Sequence, residues 1–374
     1  LWVLLVATAL ILPVGAARAE EAADPVPAFE PLLRSDAGAV QLSGVRQDRL
    51  PNGLTIYYVE HHELPVVTLR LIVPRAGLYN PPEKPGLTTA MGTLLAKGTA
   101  TRSAMDIAGA MDYVGGVIES GAGWNGTYVE ASVLTRALEL ALDLVSDVAL
   151  RPSFPAEELE RYQLTTVSDI LYNQDDPGVI ADEHFARFVY GDHPYASPLE
   201  GTAASVQGLT RDDLQAQYDR LFVPRGAVLV VAGDVQPRRL KKMLKHYFGG
   251  WAAKTPPKPG AGDPAVAEGG QVLLVDKPDA VQSEIRMGYV MAPYNMGDDY
   301  HAFQLMDYCF GRGGFSSRLM LKIRAEMGLT YGIYSSLDAR QQAGAYTVSS
   351  FTKTETTAVL AEEVQRQMAL AIAD

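Results

Sequence analysis

Thr89, Gly92 and Thr93 stand at positions i, i+3 and i+4 of the stretch from Pro85 to Thr99. That stretch reads as a helix: a Pro-Gly entry, a body of good helix formers with apolar side chains, and Gly98 as its stop. Residues four apart share one helix face, so Thr89 and Thr93 lie side by side with Gly92 next to them. Two histidines at this spacing, with a neighbouring glutamate, would hold a zinc ion beside a general base, as in His-Glu-x-x-His and its inverted form. Here the positions carry two hydroxyls and a hydrogen atom. Taken alone, they are small residues at a packing face.

Other residue types invite chemistry and resist it. His61-His62-Glu63 could suggest a metal site, but adjacent histidines at a strand end point to opposite faces. A solvated turn is the expectation there. His193, between Asp192 and Pro194, is expected to organise its loop by hydrogen bonding. Cys309, beside Phe310 in a helical pattern, reads as a buried small hydrophobe. It is the sole cysteine, which excludes an intrachain disulfide. Gly311-Arg-Gly-Gly-Phe315 lacks the preceding strand and the Lys-Ser/Thr ending of a phosphate loop, so nucleotide binding is not expected.

The scaffold for these residues is large. At 374 residues, 47% hydrophobic and 20% charged, the chain has the length for two or more domains and the composition of a soluble globular protein. A net charge of −12 argues against a nucleic-acid partner. Leu1 to Gly15 is an almost uncharged apolar run, too short to span a membrane, followed by Ala17-Arg18-Ala19 and then Glu20-Glu21. This predicts a signal peptide over residues 1–19, export, and no membrane association once it is cleaved, with an uncleaved anchor as the alternative. An exported chain without disulfides fits the bacterial periplasm.

Residues 20–45 read as an Ala/Pro/Glu leader, and the first domain is expected over 46–251. It begins with a hairpin turning at Pro51-Asn52-Gly53 and a strand at Val66–Val73. The Thr89 helix and a helix capped by Ser103 follow, then paired strands near 115–120 and 126–135. Helices are predicted at Leu138–Ala149, Pro155–Tyr172, Gly178–Tyr190 and after Thr210, with a buried strand at Gly226–Gly233. Residues 252–270 form a Pro/Gly-rich linker. A second domain over 271–374 repeats the order strand, strand, helix, helix, strand, strand, helix, with helices expected at Asp298–Phe310 and Ser317–Glu326. The chain thus reads as a duplicated α+β domain whose second copy is incomplete, and the sequence as truncated at both ends.

Ordered markers across both halves make the chain resemble the M16 zinc metallopeptidases (insulinase, pitrilysin and mitochondrial processing peptidase), of the bacterial two-domain type. They are Leu50-Pro-Asn-Gly-Leu54, Gly86-Leu87 with Lys97-Gly98-Thr99, Gly191-Asp-His-Pro-Tyr195 with Gly201-Thr202, and Val228 to Asp234. In the second half they are Ser316-Ser-Arg-Leu319 and Arg324 through Gly328-Leu-Thr-Tyr331. The resemblance implies two homologous LuxS/metallopeptidase-like domains, each a mixed sheet covered by helices. It places the family's His-x-x-Glu-His on Thr89, Gly92 and Thr93, and the third ligand, a glutamate, on Asp169. Hydroxyls and one carboxylate are a poor zinc set, and glycine accepts no proton.

The resemblance further implies that Arg324 and Tyr331 reach over a zinc site, Tyr331 toward the carbonyl or oxyanion and Arg324 toward the substrate backbone. It makes Gly311, Gly313, Gly314 and Phe315 a glycine-rich loop along the substrate path. The function implied is a periplasmic, non-catalytic subunit that takes peptide or unfolded polypeptide and completes the site of a zinc-bearing M16 partner. No zinc is expected in this chain. A scaffold protein of the same fold, or a self-sufficient peptidase with an atypical metal site, are the rival readings.

Overall fold

The structure, a computed structural model, describes residues 2–8, 44–264, 270–293 and 299–373. Most of the expected signal peptide and leader, part of the linker and the expected helix start at Asp298 lie outside the described residues. Two sheets carry the fold. β1 (Trp2–Thr8) belongs to the second. The first is built from β2 (Val45–Arg49), β3 (Thr55–Glu60), β4 (Val66–Val73), β5 (Val117–Ala122), β6 (Thr127–Leu134) and β7 (Val228–Gly233). Its order is β2-β3-β7-β4-β6-β5, with only the β3–β7 pair parallel.

Alternation decides which face of this sheet is buried. Val67, Leu69, Leu71 and Val73 of β4 point to one side with Val129, Ala131 and Val133 of β6. Each Val or Leu side chain removed from water contributes roughly 1.5–3 kcal/mol. Two helices cover that face, α1 (Leu87–Leu94) and α3 (Leu138–Leu150), while α2 (Ala104–Tyr113) lies against β5. Ser103 and Asp106 form a capping box at the start of α2, as Ser103 predicts. Around them run α4 (Ala156–Asn173), α5 (Pro177–Tyr190), α6 (Ala203–Gln207), α7 (Arg211–Leu221) and α8 (Pro237–Phe248). α8 is not among the expected helices, although Leu240, Leu244 and Phe248 recur at helical spacing and are buried.

Asp147 of α3 ties the end of the α1 segment down. Its fully buried carboxylate accepts from the hydroxyls of Thr99 (2.8 Å) and Thr101 (3.0 Å) and from the guanidinium of Arg102 (2.7 Å). Arg151 Nε donates to its other oxygen at 2.8 Å. Burial pushes the Asp147 pKa up, but the donors outweigh it and hold the carboxyl below its ordinary value. The Lys97-Gly98-Thr99 marker is thus an anchoring turn.

The second sheet contains β8 (Gly270–Asp276), β9 (Gln282–Pro293), β10 (Ile333–Leu337) and β11 (Ala343–Lys353), in the order β10-β11-β9-β1-β8. This repeats β5-β6-β4-β7-β3, with β1 in the slot of β7. The direction is reversed: β7 runs parallel to β3, whereas β1 runs antiparallel to β8 and parallel to β9. A short Val/Leu run fits a buried strand as well as it fits a signal-peptide core, so the sequence alone does not separate the two.

Among the described residues of this half, the α-helices are α9 (Asp299–Asp307) and α10 (Thr357–Ala373). The helix expected to reach Phe310 instead passes at Tyr308–Arg312 into a π-helical turn, with Gly313 N–H donating to the Tyr308 carbonyl at 2.8 Å. The helix expected over Ser317–Glu326 is π-helical from Met320 to Glu326. In the wider turn Phe310 and Gly311 are buried and Cys309 is exposed, which corrects the expectation of a buried thiol. α5 bridges the halves: Phe185 and Val189 pack with Val290 and Ala345, and Arg286 of β9 bonds Asp182 (2.5 Å).

Candidate functional site

The entry to α1 explains two of the sequence markers. Gly86 has φ 87° and Gly201 has φ 89°, conformations in which a side chain is strained. They also touch: a Cβ on Gly86 would lie 2.3 Å from the Glu200 carbonyl oxygen, and one on Gly201 2.5 Å from that of Pro85. The loop before α6 is therefore pressed onto the start of α1. Ser205 adds a bond to the Pro85 carbonyl at 2.9 Å.

Behind this contact lies a cavity of about 310 Å³ between α1, α4, α5 and the loop at 198–201. Thr89, Thr93 and Asp169 all line it, so the structure brings three of the four predicted positions together. Tyr162, Thr166, Asn173, Glu183 and Glu200 make up the rest of its polar wall, and none of them was expected there. Burial raises the Tyr162 phenol above its ordinary value, and the Glu200 charge adds to the rise. Only the spacing of Tyr162 and Asp169, seven residues apart on one helix, could have linked Tyr162 to the site.

Gly92 is the exception. It faces β5, where a Cβ would sit 2.8 Å from the Ala122 Cβ and from the Gly121 carbonyl carbon. Thr89 is also committed, its hydroxyl donating to the Leu199 carbonyl at 2.7 Å. The residues present do not fit zinc: the cavity offers hydroxyls and separated carboxylates, with no imidazole. Among the described residues, no three His, Cys, Asp or Glu side chains converge as a ligand set.

The second half presents a different site. Arg324 and Tyr331 line one open groove of about 710 Å³ with Met327, Leu329, Phe351 and Lys353. Gly328, at φ 65°, turns the chain between them, and Thr352 fixes the turn by donating to the Leu329 carbonyl at 2.6 Å. Tyr331 is 82% exposed. The Arg324 guanidinium lies 4.4 Å from the centroid of the exposed Phe315 ring, so Phe315 and Arg324 are joined. Gly311 and Gly313 are packing glycines: a Cβ would lie 2.4 Å from the Ser335 hydroxyl at the first and 2.5 Å from the Tyr308 carbonyl oxygen at the second. Gly314 has φ 65° and open space around it.

The remaining candidates are structural or exposed. His62 pairs with Asp234 at 2.7 Å in an exposed position. His193 is buried and organises its loop, accepting from Tyr195 N–H at 3.2 Å.

Comparison with known proteins gives these sites their frame. Residues 55–203 match the family described as "Insulinase (Peptidase family M16)" and residues 208–374 match "Peptidase M16 inactive domain". A Mycobacterium leprae protein named an uncharacterized zinc protease is 33% identical over 324 residues, covering 84% of this chain and 71% of its own length. The solved M16 inactive domain from Pseudomonas fluorescens superposes with a TM-score of 0.79 at 25% identity, covering 88% of this chain and 79% of its own. A protease of Helicobacter pylori shares the fold with a TM-score of 0.74 at 18% identity, covering 86% and 78%. The chain belongs to peptidase family M16.

Proposed function

We propose that this chain is the non-catalytic subunit of a heteromeric M16 peptidase, and that it lends Arg324 and Tyr331 to a zinc site carried by its partner. One contrast carries the reading. The α1–α4 cavity holds Thr89, Thr93 and Asp169 where a zinc site needs imidazoles and a carboxylate, while the Arg324–Tyr331 groove is open and exposed. In the complex the Tyr331 hydroxyl donates to the substrate carbonyl oxygen, and Arg324 holds the peptide backbone. Exposed Phe315 against Arg324, with Met327 and Leu329 in the groove, suits an extended or unfolded polypeptide.

The test is reconstitution. Expressed alone, the chain should bind no stoichiometric zinc and cleave no peptide; co-expressed with an M16 chain bearing His-x-x-Glu-His, it should co-purify and raise that chain's peptidase activity. Co-purification without any gain would favour a scaffold role, to which the commitment of Thr89 to Leu199 and the close packing of Gly92 would belong.

The proposed compartment is the periplasm, from the apolar run ending in Ala17-Arg18-Ala19. Cleavage after Ala19 would withdraw β1 from between β8 and β9, so the mature protein has either the strand or the cleaved leader. Mass spectrometry of the mature N-terminus distinguishes them: a start near Glu20 supports export by cleavage, and retained Trp2 refutes it.

A further inference from the structure

Arg340, in the turn between β10 and β11, is enclosed by three aromatic rings of the first half. Its guanidinium carbon lies 4.4 Å from the Trp124 ring centroid, 4.5 Å from Tyr195 and 5.2 Å from Tyr190. Tyr195 stands edge-on to both other rings, at 5.1 Å from Trp124 and 5.5 Å from Tyr190, so the rings form a box. Asp338 closes the fourth side, accepting from Nε and Nη2 at 2.6 Å. Nη1 is buried with no hydrogen-bond partner among the described residues, and the ring faces meet its charge.

The two residues that follow Arg340 bind the turn that carries Trp124, the segment that carries Tyr195, and the linker. Gln341 N–H donates to Asn125 at 2.7 Å, and Gln342 N–H to the Tyr195 hydroxyl at 3.3 Å. The Gln342 side chain donates to the Ala261 carbonyl at 2.7 Å, and its oxygen faces His193 Nε2 at 2.8 Å. Gly262 O is a second acceptor at 3.0 Å from Nε2, which assigns the His193 proton to that nitrogen.

The box also abuts the Thr89 cavity. Trp124 and Leu199 close on Gly77, where a Cβ would meet them at 2.7 and 2.9 Å, and the Leu199 carbonyl holds the Thr89 hydroxyl.

We propose that Arg340 is a latch between the two halves, and that by gripping Trp124, Tyr190 and Tyr195 it fixes the 190–201 segment that walls the Thr89 cavity. The latch does not depend on the heteromeric reading, since Arg340 and its box line neither the cavity nor the groove. Lysine is a poor substitute, because it lacks the planar fork that stacks on the rings while bonding Asp338.

Hydrogen exchange of the full chain, read by mass spectrometry, tests it. Arg340→Ala should speed exchange in 190–201 and 338–342 by roughly tenfold, the ratio a desolvated cation–π contact supports. β4 and β6 should be unchanged, Arg340→Lys should fall between, and Trp124→Leu added to Arg340→Ala should change little more. Wild-type exchange at 190–201 in a folded Arg340→Ala chain, or effects of Arg340→Ala and Trp124→Leu that multiply, would overturn the latch. If Arg340→Ala does not fold, Arg340→Lys decides: faster exchange at 190–201 supports the latch, and wild-type exchange refutes it.

Discussion

The two halves place a helix against an edge strand in the same topological position and use it differently. In the first half α1 meets β5 through Gly92, close enough to Gly121 and Ala122 that no side chain fits. In the second, the end of α9 meets β10 through Asp307, whose buried carboxylate accepts from Ser335 at 2.5 Å and Tyr346 at 3.1 Å. Both contacts are tight, since Gly311 packs on Ser335 of β10 as Gly92 packs on β5, and the second adds a buried polar anchor. Neither offers a general base to solvent. The difference lies outside the contact: the first half is left with an open cavity lined by Thr89, Thr93 and Asp169, the second with a larger groove presenting Arg324 and Tyr331.

The largest stability effect should come from Asp147→Ala, which strips the first half of its anchor for Thr99 and Arg102. Chemical denaturation should show a loss of about 3 kcal/mol, the low end for a broken buried pair, because Arg102 and Arg151 remain partly in water. Gly92→Ala should cost about 1–3 kcal/mol by overpacking against β5. A neutral Gly92→Ala would contradict the tight α1–β5 contact and return room for a base at this position.

A smaller effect should follow pH. Asp147 titrates below the ordinary aspartate value in the folded chain, so its contribution is complete above about pH 4–5 and is lost as pH falls through the lowered pKa. Thermal melts from pH 7 down to 3 should therefore fall less steeply for Asp147→Asn than for the wild type. Equal slopes would remove Asp147 from the acid response.

Strands and long helices were legible because periodicity and capping report burial directly: β4 and the Ser103 cap stand as the pattern predicts. The joining of Thr89, Thr93 and Asp169 in one cavity followed from the family frame, since residues on separate helices carry no local signal of meeting. Glu183, Glu200 and the Arg340 box were invisible for the same reason. The π-helical turns escaped because apolar spacing does not distinguish a helix of 3.6 residues per turn from a locally wider one. That widening turned Cys309 outward and Phe310 inward. The strand at Trp2–Thr8 escaped because its composition suits two fates.

The central claim is that this chain contributes chemistry to a site it does not own. The most direct measurement is peptidase activity of the complex with a zinc-bearing M16 chain, comparing wild type with Tyr331→Phe. Removing one hydroxyl that donates to a developing oxyanion should lower kcat by about 10²–10³-fold with pairing and zinc content unchanged. Full activity in a stably paired Tyr331→Phe complex would contradict the account.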